Sequence, residues 1–262
     1  EIALPKLVEV PSSAFNGCAA LTSVSLPVAE TIRSSAFSSC AAMKSVTFSS
    51  NLKTVESSAF GNCVGLQAIE FPGSLKTLGD SVLSGCTGLK RAVVDGDNLA
   101  IGGSLFFRCA GLETVVLGPG VASIAEGWYS SGAWSSTYYG TFSYCTGLQS
   151  VDIQTTMLAY IPKYMFYESG VKTVKFAGGV SRVGDSAFYR CESLESIEGE
   201  FAPSVIGSLS FYDCKVLRGA IDFSNLTQMS GSAFYGCAAL EGPLDAPLLG
   251  SIPSWAFYQC LA

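Results

Sequence analysis

Apolar residues return along this chain on a long period. In residues 12–27, Ser-Ser-Ala-Phe-Asn-Gly-Cys-Ala-Ala-Leu-Thr-Ser-Val-Ser-Leu-Pro, a Phe is followed three later by Cys and three after that by Leu. Val comes three later again, then one more apolar residue. The order recurs to the end of the chain. Aligned on the Phe slot it gives eleven units, at Phe15, Phe37, Phe60, Leu83, Phe106, Phe142, Phe166, Phe188, Phe211, Phe234 and Phe257. A further apolar residue stands five before that slot, from Val10 and Ile32 to Met229 and Ile252. The exception is Ile124, eighteen before Phe142, so thirteen extra residues enter there. The alternation at the end of Leu21–Leu26, with β-branched residues and a closing Pro27, predicts one short strand per unit. The Ser-Ser-Ala-Phe-Asn-Gly-Cys half is too short for a full α-helix and predicts one helical or 3-10 turn. No such unit buries its own apolar face. Stacking therefore follows, with each Phe, Cys, Leu and Val over its equivalent in one continuous core.

Cysteine sharpens this picture. All ten cysteines occupy the same slot, at intervals of 22 or 23 residues except 36 and 46. The insertion explains the first exception, and Ser169 in the cysteine slot of the seventh unit explains the second. One cysteine per coil makes a ladder at roughly the 4.8 Å strand spacing. A regular ladder does not supply the paired, converging Cβ vectors of disulfides. The expectation is buried free thiols acting as small hydrophobes. With no CxxC pair and no histidine, zinc is not expected.

The pattern AFxxCxxLxxVxLPxxLxxI at a 23-residue period resembles the BspA-like class of bacterial leucine-rich repeats. The resemblance covers nearly the whole chain and is clearest in units one to three and eight. It implies a leucine-rich repeat solenoid: a right-handed coil of about eleven 23-residue units, parallel strands on one face, short helical or 3-10 turns opposite. Residues 1–262 then form a single domain with an aromatic insertion at about 125–139. Units nine and ten carry one extra residue before the strand and unit seven lacks one, which predicts local bulges. No polar cap is evident at either end, so end-to-end contacts or flanking sequence are expected. The start at Glu1, without a basic-then-apolar leader, fits a chain whose export signal has been removed.

Composition excludes several function classes. The net charge of −6 disfavours phosphate-backbone and polybasic membrane binding. No apolar run is long enough to span a bilayer. Without histidine there is no Ser-His-Asp or Cys-His pair, and no nucleotide-binding glycine loop is present. Neither an enzyme nor a cofactor is expected. Asp95-Gly96-Asp97-Asn98 reads as a surface turn rather than a calcium loop.

Three features are candidate binding sites. The insertion holds Trp128, Tyr129, Trp134, Tyr138 and Tyr139 among Ser and Gly, the vocabulary of adaptable binding loops. Its alternative is a loop whose aromatics plug their own coil. The residue after Phe is Tyr167, Tyr189, Tyr212, Tyr235 and Tyr258 in the last five units, a stripe that serves either self-packing or binding. The outward strand face passes from Ser and Thr to Asp152, Glu198, Glu200, Asp222 and Asp245. That acidic drift favours a basic partner segment, or is a solvated face. Proteins of the class resembled are commonly surface-exposed or secreted and implicated in adhesion. The resemblance thus implies an extracellular or cell-surface module whose partner is a host or other-cell protein. Carbohydrate binding through the insertion and a rigid spacer role are the alternatives. Nucleic acid and membrane insertion are not expected.

Overall fold

The computed structural model describes residues 1–131, 136–219, 221–242 and 244–260. The units fold as a parallel β-solenoid of about ten turns. Each regular coil has three sides. The Leu-x-x-Val segment forms a front strand, and the apolar residue five before Phe ends a back strand. The segment around Phe and Cys closes the coil.

Front strands assemble first as a three-stranded sheet, Ile2–Ala3, Ser23–Ser25 and Ser45–Thr47. They resume as a six-stranded sheet from Ala68–Glu70 through Arg91–Val94, Thr114–Leu117, Ser150–Ile153 and Thr173–Phe176 to Ser196–Glu198. The insertion leaves this register intact, since Val115 pairs with Val151 directly across it. A second, back sheet was not expected. Its six strands run from Glu9–Val10 to Val121–Ile124, and four more run from Tyr160–Ile161 to Gln228–Met229. Most are only two or three residues long, too short to show an alternating pattern.

The closing segment is neither α-helix nor 3-10 helix, which corrects the expected helical turn. In a 3-10 helix every N–H returns to the carbonyl three residues back. Here only alternate ones do: Ala36, Ser38 and Cys40 bond to Arg33, Ser35 and Phe37. Ser35, Phe37 and Ser39 instead donate to Ser57, Ala59 and Gly61 of the next coil, at 3.0, 2.8 and 2.7 Å. This division needs left-handed backbone on both sides of the Phe. Among the described residues, every non-glycine at positive φ except Asn98 lies two before or two after a Phe slot.

Inside, the phenylalanines stack. Ring centroids lie 5.1 Å apart for Phe15 and Phe37 and 4.9 Å for Phe211 and Phe234, with planes within 5°. Full burial, as of Phe37, Phe211 and Phe234, contributes about 1.5–3 kcal/mol per ring. The cysteines sit beside them as free thiols, buried except Cys18 and the half-buried Cys260. Each from Cys40 onward donates its S–H to a backbone carbonyl one coil back, as Cys63 does to Phe37 at 3.2 Å and Cys191 to Phe166 at 2.9 Å. Burial pushes the Cys63 and Cys191 thiols up to about 12.

Candidate recognition surfaces

The insertion is an antiparallel hairpin, Trp128–Ser131 against Ser136–Tyr139, pairing Trp128 with Tyr139 and Tyr129 with Tyr138. Trp134 lies outside the described residues. The mirrored sequence Trp-Tyr-Ser-Ser and Ser-Thr-Tyr-Tyr is a signal from which the pairing is readable. Two glycines let its stems approach the following coil. A Cβ on Gly127 would meet the Lys163 carbonyl, and one on Gly140 the Tyr164 carbonyl. Glu126 anchors the entry by accepting from the Tyr160 hydroxyl at 2.6 Å and the Lys163 N–H at 2.9 Å. At the exit, Ser143 Oγ accepts from the Gly140 N–H and donates to the Tyr164 carbonyl, at 2.9 and 2.8 Å.

The hairpin and the tyrosine stripe are one surface. The slot after Phe reads Phe107, Ser143, Tyr167, so the aromatic column lacks a rung in the insertion's own coil. The coil's own Tyr144 bridges the gap edge-on, 5.7 Å from both Phe107 and Tyr167, and the hairpin adds stacked faces. Tyr139 stacks on Phe107 at 4.6 Å and Tyr138 on Tyr167 at 4.4 Å. Trp128 then covers Tyr139, with centroids 3.9 Å apart and planes 9° from parallel. From Tyr167 the column continues through Tyr189, Tyr212, Tyr235 and Tyr258, with spacings between 4.6 and 5.0 Å. Burial raises the pKa of Tyr167, Tyr189 and Tyr235.

Exposure divides this surface. Tyr167 is buried, Tyr189, Tyr212 and Tyr235 are half-buried, and Tyr258 is exposed. On the hairpin, Tyr138 and Tyr139 are half-buried, but Trp128 is 50% and Tyr129 59% exposed. The hairpin therefore does not bury all its aromatics against its own coil. Two cations flank the column, Arg108 over Phe107 at 5.1 Å and Arg190 over Tyr189 at 5.5 Å. Sequence reasoning missed both arginines, which occupy the left-handed slot two after Phe.

The acidic residues do not form one stripe. Lys175 stands between Asp152 and Glu198 in the strand register. Glu200, Asp222 and Asp245 lie beyond the last front strand, all exposed. The extra residue in units nine and ten coincides with loss of the front ladder, a larger change than the expected local bulge. At the Asp95 turn, Asp95 Oδ1 accepts the backbone N–H groups of Gly96 and Gly120, both at 2.9 Å. Its carboxylate is engaged in holding two coils together.

Known proteins agree with this geometry at the level of fold. A leucine-rich repeat protein from Bacteroides ovatus aligns with 99% of this chain and 84% of its own, at 20% identity and a TM-score of 0.51. The pneumococcal vaccine antigen PcpA aligns over 91% of this chain and 70% of its own, at 19% identity and a TM-score of 0.52. No curated protein matches the chain significantly. The family described as BspA type leucine rich repeat region matches in six copies over residues 8–132 and 135–262. With a repeated coil, a continuous core and that match over nearly its full length, the chain belongs to the BspA-type leucine-rich repeat family.

Proposed function

We propose that this protein is a non-enzymatic recognition module working outside a bacterial cell, where it adheres to host or other-cell proteins through the aromatic surface. The observation that carries the reading is the hairpin. Its inner tyrosines are locked into the column while Trp128 and Tyr129 stand half exposed or more. Rigid aromatics among small polar residues give large contact area at little conformational cost. Arg108 and Arg190 add hydrogen-bonding cations of the kind enriched at interface anchors.

The stacking favours a protein partner over a sugar. Saccharides bind by lying on aromatic faces. From Tyr167 to Tyr235 each face is covered by the next ring, so that stretch offers edges and hydroxyls, and the exposed rings of Trp128 and Tyr129 are where a sugar would have to lie. A location outside the cell is supported by the family and by the likeness to a vaccine antigen. A non-catalytic role is supported by the absence of histidine from the sequence and by thiols held protonated through burial.

A panel of matrix and cell-surface proteins, run beside a glycan array, tests this reading. Trp128→Ala/Tyr129→Ala is expected to weaken capture at least about tenfold, since aromatic anchors contribute 2 kcal/mol or more. Equal binding by variant and parent removes the hairpin from the interface. Brief protease treatment of intact cells checks the location, and protection of the protein until lysis overturns it.

A further inference from the structure

The front sheet ends before the molecule does. Its last strand is Ser196–Glu198, while the back sheet continues through Phe201–Ile206 to Gln228–Met229. The next coil makes one contact of the expected kind, from the Arg218 N–H to the Glu195 carbonyl at 3.0 Å. At Gly219, with φ +88°, the backbone leaves the ladder course. Among the described residues no strand pairs with the outer edge of Ser196–Glu198.

A groove of about 420 Å³ runs beside that edge. Its floor is apolar, formed by Ile197, Leu217 and Ile221, and its exposed rim carries Glu200, Asp222 and Arg218. Ile197 is half-buried, whereas its equivalents Val151 and Val174 are 1% and 0% exposed. Glu198, also exposed, points to the outer face beside the groove. None of these three carboxylates is in an ion pair among the described residues.

We propose that this edge is a second binding site, at which an extended segment of a partner protein adds to the front sheet as its next strand. This edge, unpaired among the described residues, supplies main-chain hydrogen bonds, and alternate side chains supply specificity. Side chains alternate across a strand. One set of the guest's residues meets the Ile197 floor and is small and apolar. The other lies beside Glu198, Glu200 and Asp222, where three carboxylates against the single Arg218 select Lys or Arg. The fitting chemistry is an alternating basic and apolar strand. This site is separate from the aromatic surface and does not depend on it.

The probe is a fluorescent heptapeptide of alternating Lys and Val, titrated into the full chain. Two derivatives carry N-methyl groups, one at every Lys amide and one at every Val amide. In a strand only one of these amide sets faces the edge. One derivative is therefore expected to lose at least about tenfold in affinity while the other keeps it, as removal of two hydrogen bonds implies. Glu198→Lys/Asp222→Lys is expected to weaken the parent peptide by a similar factor with an unchanged melting profile. Glu198→Gln/Asp222→Gln gives an intermediate loss and guards against misfolding. Equal binding of both N-methyl derivatives and the parent overturns strand addition, as does no binding at millimolar peptide. A concentration-dependent dimer that the peptide disperses would reassign the edge to a second copy of this chain.

Discussion

Cysteine suits its slot for two physical reasons. It fills a small apolar volume beside the Phe column, and its S–H satisfies a carbonyl one coil back, as in Cys109 to Leu83 at 3.0 Å. Such burial has a consequence for pH. An ordinary thiol ionises near 9, but folding pushes Cys63 and Cys191 to about 12. Between those values the unfolded chain has lost protons that the folded chain retains. Stability is thus fully present below pH 9 and falls as pH rises toward 12. Each such buried thiol removes about 1.4 kcal/mol per pH unit. Urea midpoints at pH 7.5, 9.5 and 10.5 should fall in that order, and a flat profile contradicts it. The left-handed slots give a second test at this scale. Ser58 has φ 57°, and among the described residues its side chain makes no hydrogen bond on which the turn depends. Ser58→Gly should leave stability equal or raise it by up to about 1 kcal/mol, while Ser58→Val should lower it by more than that. Thermal melts check both. The Phe, Cys and Leu slots were legible because their side chains stack on copies of themselves. The left-handed slots were not, because backbone bonding to the next coil sets them, and they hold residues as unlike as Arg108, Tyr144, Glu168 and Leu209.

Among the elements, the hairpin adds stacked faces where the coil bridges the aromatic column only edge-on, through Tyr144. Tyr138 and Tyr139 are its attachment, each stacked on a coil aromatic and each contributing about 0.5–1.5 kcal/mol beyond burial. Tyr138→Ala/Tyr139→Ala should therefore release the hairpin without melting the solenoid, whose front register passes beneath it from Val115 to Val151. Limited proteolysis should cut the variant within 126–140 and leave both flanking fragments folded. Loss of the whole cooperative transition would show instead that the hairpin is part of the core. The insertion's place was readable from the displaced Ile124. Its role was not, because the missing rung is visible only when Ser143 is set between Phe107 and Tyr167 in space. The back sheet stayed hidden for a simpler reason. Two residues such as Thr31–Ile32 carry no period, and their pairing partners lie a full coil away.

At the scale of the molecule, the two sheets break at different levels. The front sheet is interrupted between Ser45–Thr47 and Ala68–Glu70, where back strands Thr31–Ile32, Thr54–Val55 and Thr77–Leu78 remain paired. The back sheet is interrupted at the hairpin, where the front sheet is continuous. Each break is bridged by the opposite face. In a stack of nearest-neighbour contacts, protection is greatest where both neighbours are present. Hydrogen exchange should be slowest in Thr114–Leu117 and Ser150–Ile153 and fastest in Ile2–Ala3 and beyond 240. Uniform exchange along the chain would contradict this. The sequence period predicts one unbroken stack and cannot register these offsets, nor Lys175 interrupting the acidic column, because both depend on which residues share a register.

The thiol ladder runs through the stack at every level but the seventh, where Ser169 stands in its place, and it sets folding and oxidation in a race. Unfolded, the chain exposes ten thiols that ionise readily and exchange with any disulfide present. Folded, nine are covered to some degree, and burial raises the pKa of those from Cys40 to Cys214 toward the unreactive protonated form, leaving Cys18 as the exposed one. The native protein is thus kinetically sheltered in an oxidising medium that would cross-link its own precursor. Alkylation of the native protein at pH 8 should label Cys18 quickly and Cys260 slowly, with all ten labelled only after denaturation. Refolding begun in oxidised glutathione should trap mixed disulfides, whereas the same reagent added a moment after folding should find almost nothing to attack.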